Sequence, residues 1–294
     1  MPGTKELTNR IKSIKSTRKI TRAMQLVSAA KMRKAQGAGV NSRAYAGQAW
    51  QLIQNLAQTL EIETDLFKTY PKAKKIGVLL LSTNKGLVGS LNLNLQAKIK
   101  ELASEPEVIS EIITYGKKGR QISVRLKQNV VADYEKQEKT LEVEGIYAIS
   151  KFITEAYKTG QYKEIAIVYN HFLSTLRQKS IIKRLLPFSE SLLQSAKEEM
   201  PYSIKEGYDY NYVFEPAPKN VLENLLPRII ESQIYQAILE SNASEHSARM
   251  IMMKNATEAA GDLIADLTLT YNKIRQDKIT TELAEITAGK IALE

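Results

Sequence analysis

The best candidate for chemistry in this sequence is a glycine-containing loop at residues 83–90 (TNKGLVGS), which follows an apolar stretch and precedes a helix-like stretch. A loop in that position could hold a phosphate group with its backbone N–H groups and with the N-terminus of the next helix. Its spacing matches neither of the common phosphate-binding patterns, because Lys85 precedes the glycines instead of following them. Nucleotide binding and a tight strand-to-helix turn are both open interpretations, and the turn is the favoured one.

Histidines and carboxylates form no recognisable catalytic set. His171 and His246 lie 75 residues apart, and neither has a second ligand at metal-binding spacing. Glu282 and Glu285 share one face of a helix pattern and could act as an acid–base pair, but a solvated or partner-facing stripe is favoured. The chain has no cysteine, which excludes disulfides, thiolate metal sites and a cysteine nucleophile. We therefore expect no catalytic, cofactor-binding or metal-binding residue in this chain.

The middle of the chain alternates apolar strand patterns with amphipathic helix patterns. The predicted strands are residues 76–82, 109–115, 129–134, 164–170 and 181–188, and the predicted helices are residues 91–103, 118–127 and 142–157. This alternation predicts a mainly parallel sheet with helices on its faces. Residues 189–218 read as an irregular segment that includes one edge strand at residues 208–214.

The two ends of the chain carry long helix patterns, at residues 4–60 and about 218–288. Pro227 is expected to kink the second pattern or to mark a short earlier turn, and Gly289 is expected to end it. At about 1.5 Å per residue such helices are roughly 85 and 105 Å long, whereas a compact globule of this length is about 50 Å across. They cannot both lie inside such a globule. We therefore predict an elongated molecule in which the two ends pair as an antiparallel coiled coil.

The apolar residues of the two end helices define candidate seams for this pairing. On the first helix they fall in two sets rotated by roughly 140° from each other, so the pattern is not one uniform heptad seam. These sets are Leu7, Ile11 and Ile14, then Ile20, Met24 and Val27. On the second helix the predicted seam consists of Met252, Ala256, Ala259, Leu263, Leu267, Thr270 and Ile274, followed after a phase step by Ile279, Leu283 and Ile286.

The predicted fold is therefore an α/β fold: a long antiparallel coiled coil of the N- and C-terminal helices with a central Rossmann-like α/β domain. The domain boundaries that we predict are residues 1–60 for the N-terminal coiled-coil helix, 74–216 for the globular domain and 217–294 for the C-terminal coiled-coil helix.

The net charge of +10 lies entirely in the first fifth of the chain. Residues 1–60 carry 11 lysines and arginines against one acid, Glu6, and the remainder is balanced. Lys12, Lys15, Lys19 and Arg22 follow helical spacing, and such a like-charged stripe weakens an isolated helix by a few tenths of a kcal/mol per pair. We therefore expect an acidic partner surface, nucleic acid or anionic lipid to compensate the charge.

The apolar runs of this sequence are short. Runs such as residues 78–81 fall far below the roughly 20 residues of a spanning helix, and the first residues contain no apolar signal core. We expect a chain that neither crosses a membrane nor is exported.

Several motifs together make the sequence similar to one family. They are residues 14–24 (IKSTRKITRAM), 28–35 (SAAKMRKA), 85–92 (KGLVGSLN), 244–250 (SEHSARM), 267–276 (LTLTYNKIRQ) and 279–285 (ITTELAE). In these runs the chain resembles the γ subunit family of F-type ATP synthases, in register over nearly its whole length. Two departures are Lys290, where the family usually has a small residue, and Val88, where a cysteine is common.

The resemblance implies a non-catalytic rotor subunit. Such a subunit is the central shaft inside a hexamer of three α and three β subunits, and its globular domain contacts the ε subunit and the c-ring. Proton flow turns the c-ring, and the shaft then drives each β subunit through its nucleotide states. ATP, ADP and Mg bind the α and β subunits, so the resemblance implies no cofactor on this chain, no nucleic acid, and membrane association only through the complex. A start at Met1 without a transit peptide suggests the cytoplasmic face of a bacterial inner membrane.

By the same resemblance, one set of residues is expected to contact loops of the β subunits: Lys12, Lys15, Arg18, Lys19, Arg22, Met24, Arg275 and Gln276. Glu206 and Tyr208 are expected near the ε subunit or the c-ring. Two alternatives remain: a basic coiled-coil nucleic-acid binder, although no groove-reading motif accompanies the charge, and an α/β enzyme that uses the loop 83–90. Salt-sensitive retention on DNA would favour the first, and nucleotide binding by the isolated chain would favour the second.

Overall fold

The computed structural model describes residues 4–59, 64–104, 109–137, 143–188 and 218–293. The helices are α1 (Thr4–Thr59), α2 (Leu91–Ala103), α3 (Lys117–Arg125), α4 (Val143–Lys158) and α5 (Pro218–Leu293), and the strands are β1 (Lys75–Leu81), β2 (Ile109–Tyr115), β3 (Asn129–Tyr134), β4 (Glu164–Phe172) and β5 (Gln178–Leu186). Over these ranges no helix has a stretch long and apolar enough to cross a membrane. The edge strand expected at residues 208–214 lies outside the described residues, as do Glu206 and Tyr208.

The five strands form one sheet in the order β3-β2-β1-β4-β5. Strands β1 to β4 are parallel, and β5 pairs antiparallel with β4. The first three strands proceed outward on one side of β1, and the chain then crosses to β4 on the other side, which is the strand order of a Rossmann-like half. The predicted α/β fold with a mainly parallel central sheet is confirmed.

Both faces of the sheet are covered, which explains why its central strands are apolar throughout. On one face, Leu79 of β1 belongs to a core that includes Ile149 of α4 and Ile230 of α5. On the other face, Leu80 packs with Leu95 of α2. Because alternate side chains of β1 enter two different cores, its sequence shows a continuous apolar run and not a strict alternation.

Helix α5 is longer than the sequence predicts. It continues through Gly289 to Leu293, so the predicted stop at Gly289 is wrong. A glycine inside a helix costs only about 1 kcal/mol, and nothing else at this position obliges the helix to end. Pro227 lies within the same helix and therefore does not end a separate earlier turn. The neighbouring Leu226 and Ile229 are buried, and this packing offsets the hydrogen bond that the proline cannot donate.

The chain divides into two compact units, one of Met1–Ala30 with Arg249–Glu294 and the other of Lys31–Ala248. The first unit, called the helix-pair unit below, contains parts of α1 and α5. Its two helices run antiparallel, because Thr21 is bonded to Thr257 and Arg18 lies against Gly261. The second unit, called the sheet unit, contains the whole sheet. The three-part division at residues 60, 74 and 216 stays a prediction.

The seam of the helix-pair unit differs from the one that the sequence predicts. On α1 the protected positions continue from Leu7, Ile11 and Ile14 through Thr21, Gln25 and Ser28, while Ile20 and Val27 are exposed. On α5, from residue 252 onward, the protected positions are residues 252, 253, 256, 257, 260, 261, 264, 267, 271 and 274, which include the predicted Met252, Ala256, Leu267 and Ile274. The other predicted seam residues are exposed and are wrongly predicted: Ala259, Leu263, Thr270, Ile279, Leu283 and Ile286. The seam therefore combines large apolar side chains with a short hydroxyl-bearing section, in which Thr21 of α1 is bonded to Thr257 of α5.

Candidate functional site

The loop 83–90 folds back onto its own chain. Leu87 and Gly89 have positive φ angles of 62° and 60°, and they turn the backbone so that Val88 faces inward. Val88 is buried and packs with Leu91 against Ala248 of α5. Asn92 Nδ2 of α2 donates to Thr83 Oγ1 at the start of the loop, at 2.9 Å. The central side chain of the loop thus serves packing, as expected of a strand-to-helix turn.

The N-terminus of α3 is the other place at this edge of the sheet where a phosphate could bind. Its first three N–H groups are already bonded to the preceding strand and loop: Lys117 N to Asn84 Oδ1 at 3.2 Å, Lys118 N to Thr83 O at 2.9 Å and Gly119 N to Ser82 Oγ at 2.6 Å. A Cβ atom on Gly116, whose φ is +102°, would lie 2.8 Å from Ser82 O. Ligands of open α/β sheets bind in the crevice at the carboxyl ends of the strands. Here the chain itself fills that crevice between β1 and β2.

The histidines and the carboxylate pair have protein partners. His171 Nδ1 lies 2.6 Å from Glu240 Oε2 of α5. Glu282 is exposed and lies 3.8 Å from Lys278, one turn earlier on α5. Within the described ranges no three His, Cys, Asp or Glu side chains are grouped closely enough to hold a metal ion. These contacts support the interpretation of Glu282 and Glu285 as a solvated stripe.

The helix-pair unit carries the basic residues that the sequence singles out. Lys12, Lys15, Arg18, Lys19 and Arg22 are all exposed. In the part of the chain that the structure describes, no carboxylate forms an ion pair with any of these five. Arg18 and Arg22 of α1, together with Lys254 of α5, line a cavity of about 220 Å³. Glu258 lines the same cavity and lies 3.9 Å from Lys254, so the α5 side of the cavity carries one charge of each sign and the excess of cations lies on α1.

The remaining predicted contact residues lie on the same two helices. Met24 is half-buried, and Arg275 and Gln276 are exposed. The structure thus places all eight predicted residues in the helix-pair unit, with Met24 closest to the seam. What they contact in another protein stays a prediction.

An exposed apolar stripe on α1 accompanies the cations. Ile20, Leu26 and Val27 are 57%, 64% and 55% exposed, and Ala23 and Ala30 beside them are exposed as well. Sequence reasoning placed Ile20 and Val27 in a candidate seam and so missed this surface. The rotation between the two apolar sets of α1 indicates such a surface, because one face of the helix cannot contain both sets.

A second exposed apolar stripe lies at the end of α5. Ile279, Leu283 and Ile286 are 49%, 59% and 71% exposed, although their spacing places them on one face of the helix. With Thr21 opposite Thr257, the beginning of α1 lies opposite about residue 275 of α5. This end of α5 therefore extends past the described start of α1. Exposed apolar stripes of this kind are typical of protein–protein contact surfaces.

Known proteins resemble this chain over its whole length. A family model described as ATP synthase matches residues 3–293. Two curated proteins named ATP synthase gamma chain are each 38% identical. That of Legionella pneumophila (strain Corby) aligns over 296 residues and covers 100% of both chains. That of Roseiflexus castenholzii aligns over 299 residues and covers 100% of this chain and 99% of the relative.

Solved structures share the fold. A chain in the cryo-EM structure of the Euglena gracilis mitochondrial ATP synthase, OSCP/F1/c-ring, rotational state 3, matches with a TM-score of 0.69 at 20% identity, covering 99% of this chain and 94% of that one. A chain of the Tetrahymena thermophila mitochondrial ATP synthase central stalk and c-ring matches with a TM-score of 0.59 at 21% identity, covering 81% of this chain and 99% of that one.

Proposed function

This chain belongs to the family of ATP synthase gamma chains, and from that premise we propose that it is the non-catalytic rotor subunit of a proton-translocating F-type ATP synthase. In this role it is the central shaft that couples rotation of the c-ring to sequential conformational change of the catalytic β subunits. Its partners are three α and three β subunits, the ε subunit and the c-ring.

The observation that supports this function best is the pair of exposed apolar stripes in the helix-pair unit. The α1 stripe (Ile20, Leu26, Val27) and the α5 stripe (Ile279, Leu283, Ile286) are large apolar side chains left in contact with solvent. A helix pair that leaves isoleucine, leucine and valine side chains exposed in two stripes is suited to a second protein around it. We assign the α and β subunits as that protein.

The five exposed cations of α1 fit a contact that must change during rotation. A subunit without a ligand can alter its partner only through contacts that differ between the partner's conformations. Solvated ion pairs are worth about 0–1 kcal/mol, so they can form and break on every turn at little cost. Lys12, Lys15, Arg18, Lys19 and Arg22 have the required charge and exposure to meet acidic loops of β in succession. Met24, Arg275 and Gln276 complete the proposed contact set.

Catalysis and nucleotide binding belong to other subunits in this proposal. Val88 fills the centre of the one glycine loop that resembled a phosphate site, and the first N–H groups of α3 are bonded within the chain. We accordingly assign no cofactor to this chain, with ATP, ADP and Mg on α and β. We also assign it no nucleic acid. The proposed location is the cytoplasmic face of a bacterial inner membrane, held there only through the complex.

The α5 stripe provides a direct test. We expect the triple variant Ile279→Ser, Leu283→Ser, Ile286→Ser to keep most of the thermal stability of the isolated chain, because these side chains are largely exposed. In the reconstituted complex the same variant should lower ATP-driven proton pumping, because the apolar contact with α and β is lost.

A matched control uses the opposite side of the same helix turns. The variant Thr281→Ser, Ala288→Ser changes two exposed residues there and should pump as the wild type does. If the triple serine variant also assembled and pumped normally, the α5 stripe would not be a partner surface.

A further inference from the structure

Helix α5 is attached to the carboxyl edge of the sheet by buried polar contacts on two sides of the helix. Toward the end of β4, Ser244 Oγ donates to Asn170 O at 2.9 Å, and Ser247 Oγ donates to Thr175 O at 2.6 Å. Toward the ends of β1 and β3, Glu245 forms an ion pair with Lys136, and Ala248 packs on the loop 83–90. All of these residues belong to the sheet unit.

The contact at Glu245 is a buried ion pair. Lys136 Nζ lies 2.6 Å from Glu245 Oε2, and the two side chains are only 9% and 8% exposed. Lys136 Nζ also donates to Ser82 O at the end of β1, at 3.3 Å. The backbone of Lys136 is held in turn, because Asn84 Nδ2 donates to its carbonyl oxygen at 2.7 Å. One ammonium group therefore connects the ends of β1 and β3 to α5.

A buried ion pair defines orientation better than it adds stability. Removing two charges from water offsets most of their attraction, so apolar residues of similar volume often stabilise a protein as well or better. A rotation of α5 about its axis by one residue position, about 100°, would carry the Glu245 carboxylate away from Lys136 inside a low-dielectric site. Apolar packing, which has no direction, would resist such a rotation much less.

We propose that Lys136 and Glu245 are a torsional lock, a pair of positioning residues that fixes the rotation of α5 relative to the sheet so that torque passes between them. The lock rests on the proposed rotor function. It acts within the sheet unit, and α5 continues past it as an unbroken helix to Leu293. Without this ion pair, the shaft would still rotate against a small proton gradient. Against a large gradient, α5 would rotate relative to the sheet and the torque would not be transmitted.

The test uses the assembled complex in sealed vesicles and compares ATP-driven proton pumping with ATP hydrolysis as the opposing proton gradient is raised. The test variant is Lys136→Met, Glu245→Met, which fills the same volume without charge. The matched control is Lys75→Met, Glu111→Met, which removes an ion pair of 2.8 Å at the amino edge of the same sheet, away from α5. Lys136→Arg, which keeps the charge, is the conservative rescue.

We expect the lock variant to hydrolyse ATP and to pump normally at low gradient, and to pump fewer protons per ATP than the wild type as the gradient rises. The control and Lys136→Arg should follow the wild type at every gradient. A general loss of stability would lower pumping at all gradients and would affect the control equally. If the methionine pair fails to assemble, Glu245→Gln, which keeps shape and loses charge, should show the same load-dependent loss.

Two results would overturn the lock. Either the uncharged variants pump like the wild type against every gradient, or the control pair shows the same load dependence. The proposed function fails in a different way, namely when the wild-type chain does not assemble into a complex that pumps protons at all.

Discussion

Glu111 is the best-connected charged side chain at the amino ends of the parallel strands. It accepts hydrogen bonds from Lys75 Nζ at 2.8 Å, Tyr162 Oη at 2.9 Å and Asn129 Nδ2 at 3.3 Å. Burial acts to raise the pKa of Glu111, but the hydrogen bonds from Lys75 and Tyr162 and the lysine charge outweigh it and hold the pKa below the ordinary value of 4.5. The same burial, with the carboxylate beside it, raises the pKa of Tyr162.

We expect the hydrogen bonds of Glu111 to make the free energy of unfolding depend on pH. Because the pKa of the carboxyl group is lower in the folded than in the unfolded chain, its stabilisation is present above pH 4.5 and disappears as the pH falls through the lowered value. Glu111→Gln should therefore destabilise the chain by about 1–3 kcal/mol at pH 7 and by progressively less below pH 4.5. Thermal unfolding of both proteins between pH 7 and pH 3 measures the difference.

The control for this prediction is an exposed ion pair in the same unit. Glu101, whose side chain is 61% exposed, lies 2.6 Å from Lys98, and Glu101→Gln should change stability by less than about 1 kcal/mol at any pH. A difference between wild type and Glu111→Gln that stayed constant across the pH range would contradict the assigned pKa shift.

At the scale of elements, the hydroxyl pair Thr21–Thr257 in the seam between α1 and α5 is the feature with the clearest energetic consequence. Thr257 Oγ1 donates to Thr21 Oγ1 at 2.8 Å, and Thr21 Oγ1 donates to the carbonyl oxygen of Arg18 at 3.1 Å. Thr257 is buried, so its hydroxyl group depends on protein partners. Polar residues at seam positions commonly fix the register of paired helices at some cost in stability.

The effects of substitutions at this seam on the free energy of unfolding should not be additive. Thr21→Val and Thr257→Val should each destabilise the chain by about 0.5–1.5 kcal/mol, because each removes the hydrogen bond between the helices and leaves the other hydroxyl only a carbonyl oxygen of its own helix. The double variant should cost less than the sum of the two, since both single variants remove the same hydrogen bond between the helices. Far-UV circular dichroism during thermal unfolding measures the loss of stability in the two single variants and in the double variant.

Thr268→Val provides the reference, because Thr268 is exposed and bonds only to the carbonyl oxygen of Ile264 in its own helix. This variant should change the free energy of unfolding by less than about 0.5 kcal/mol. Strictly additive costs for the seam pair would show that the two hydroxyl groups are not coupled.

The elements that the sequence predicts well are those whose pattern is set by burial on the sheet. The predicted bounds of α2, β2 and β3 coincide with the observed ones. Strand β5 begins three residues before its predicted start, at Gln178. Its first residues are polar, because an antiparallel strand at the edge of the sheet keeps part of its surface in water. Apolar periodicity therefore does not mark its beginning.

The seam and the lock could not be read from the sequence for a different reason. Hydrophobic periodicity assumes that the buried stripe of a helix is the apolar one. Here Thr21, Gln25 and Ser28 occupy the seam while Ile20 and Val27 are exposed. The contact between Lys136 and Glu245 joins residues 109 positions apart, and no local pattern relates them. The motif-based site prediction names residues on α1 and α5, and it indicates neither of these contacts.

At the scale of the whole molecule, the proposed function is a mechanical one. The exposed side chains of α5 at residues 275 and 276 should therefore affect activity in the complex and not the stability of the isolated chain. Arg275→Ala with Gln276→Ala should leave the helicity of the isolated chain unchanged, because both side chains are exposed. In the assembled complex we expect slower ATP synthesis and slower ATP hydrolysis, or weaker assembly. Normal rates in both directions would show that these two residues do not contact β.

The measurement that tests the central claim most directly is purification of this chain from its native membranes in mild detergent, with identification of the bound subunits and an ATPase assay. The rotor account predicts recovery of α, β, ε and c subunits with one copy of this chain for every three β subunits, together with ATPase activity. Recovery of the chain alone, or bound to nucleic acid, would contradict the account and would favour a basic nucleic-acid-binding protein.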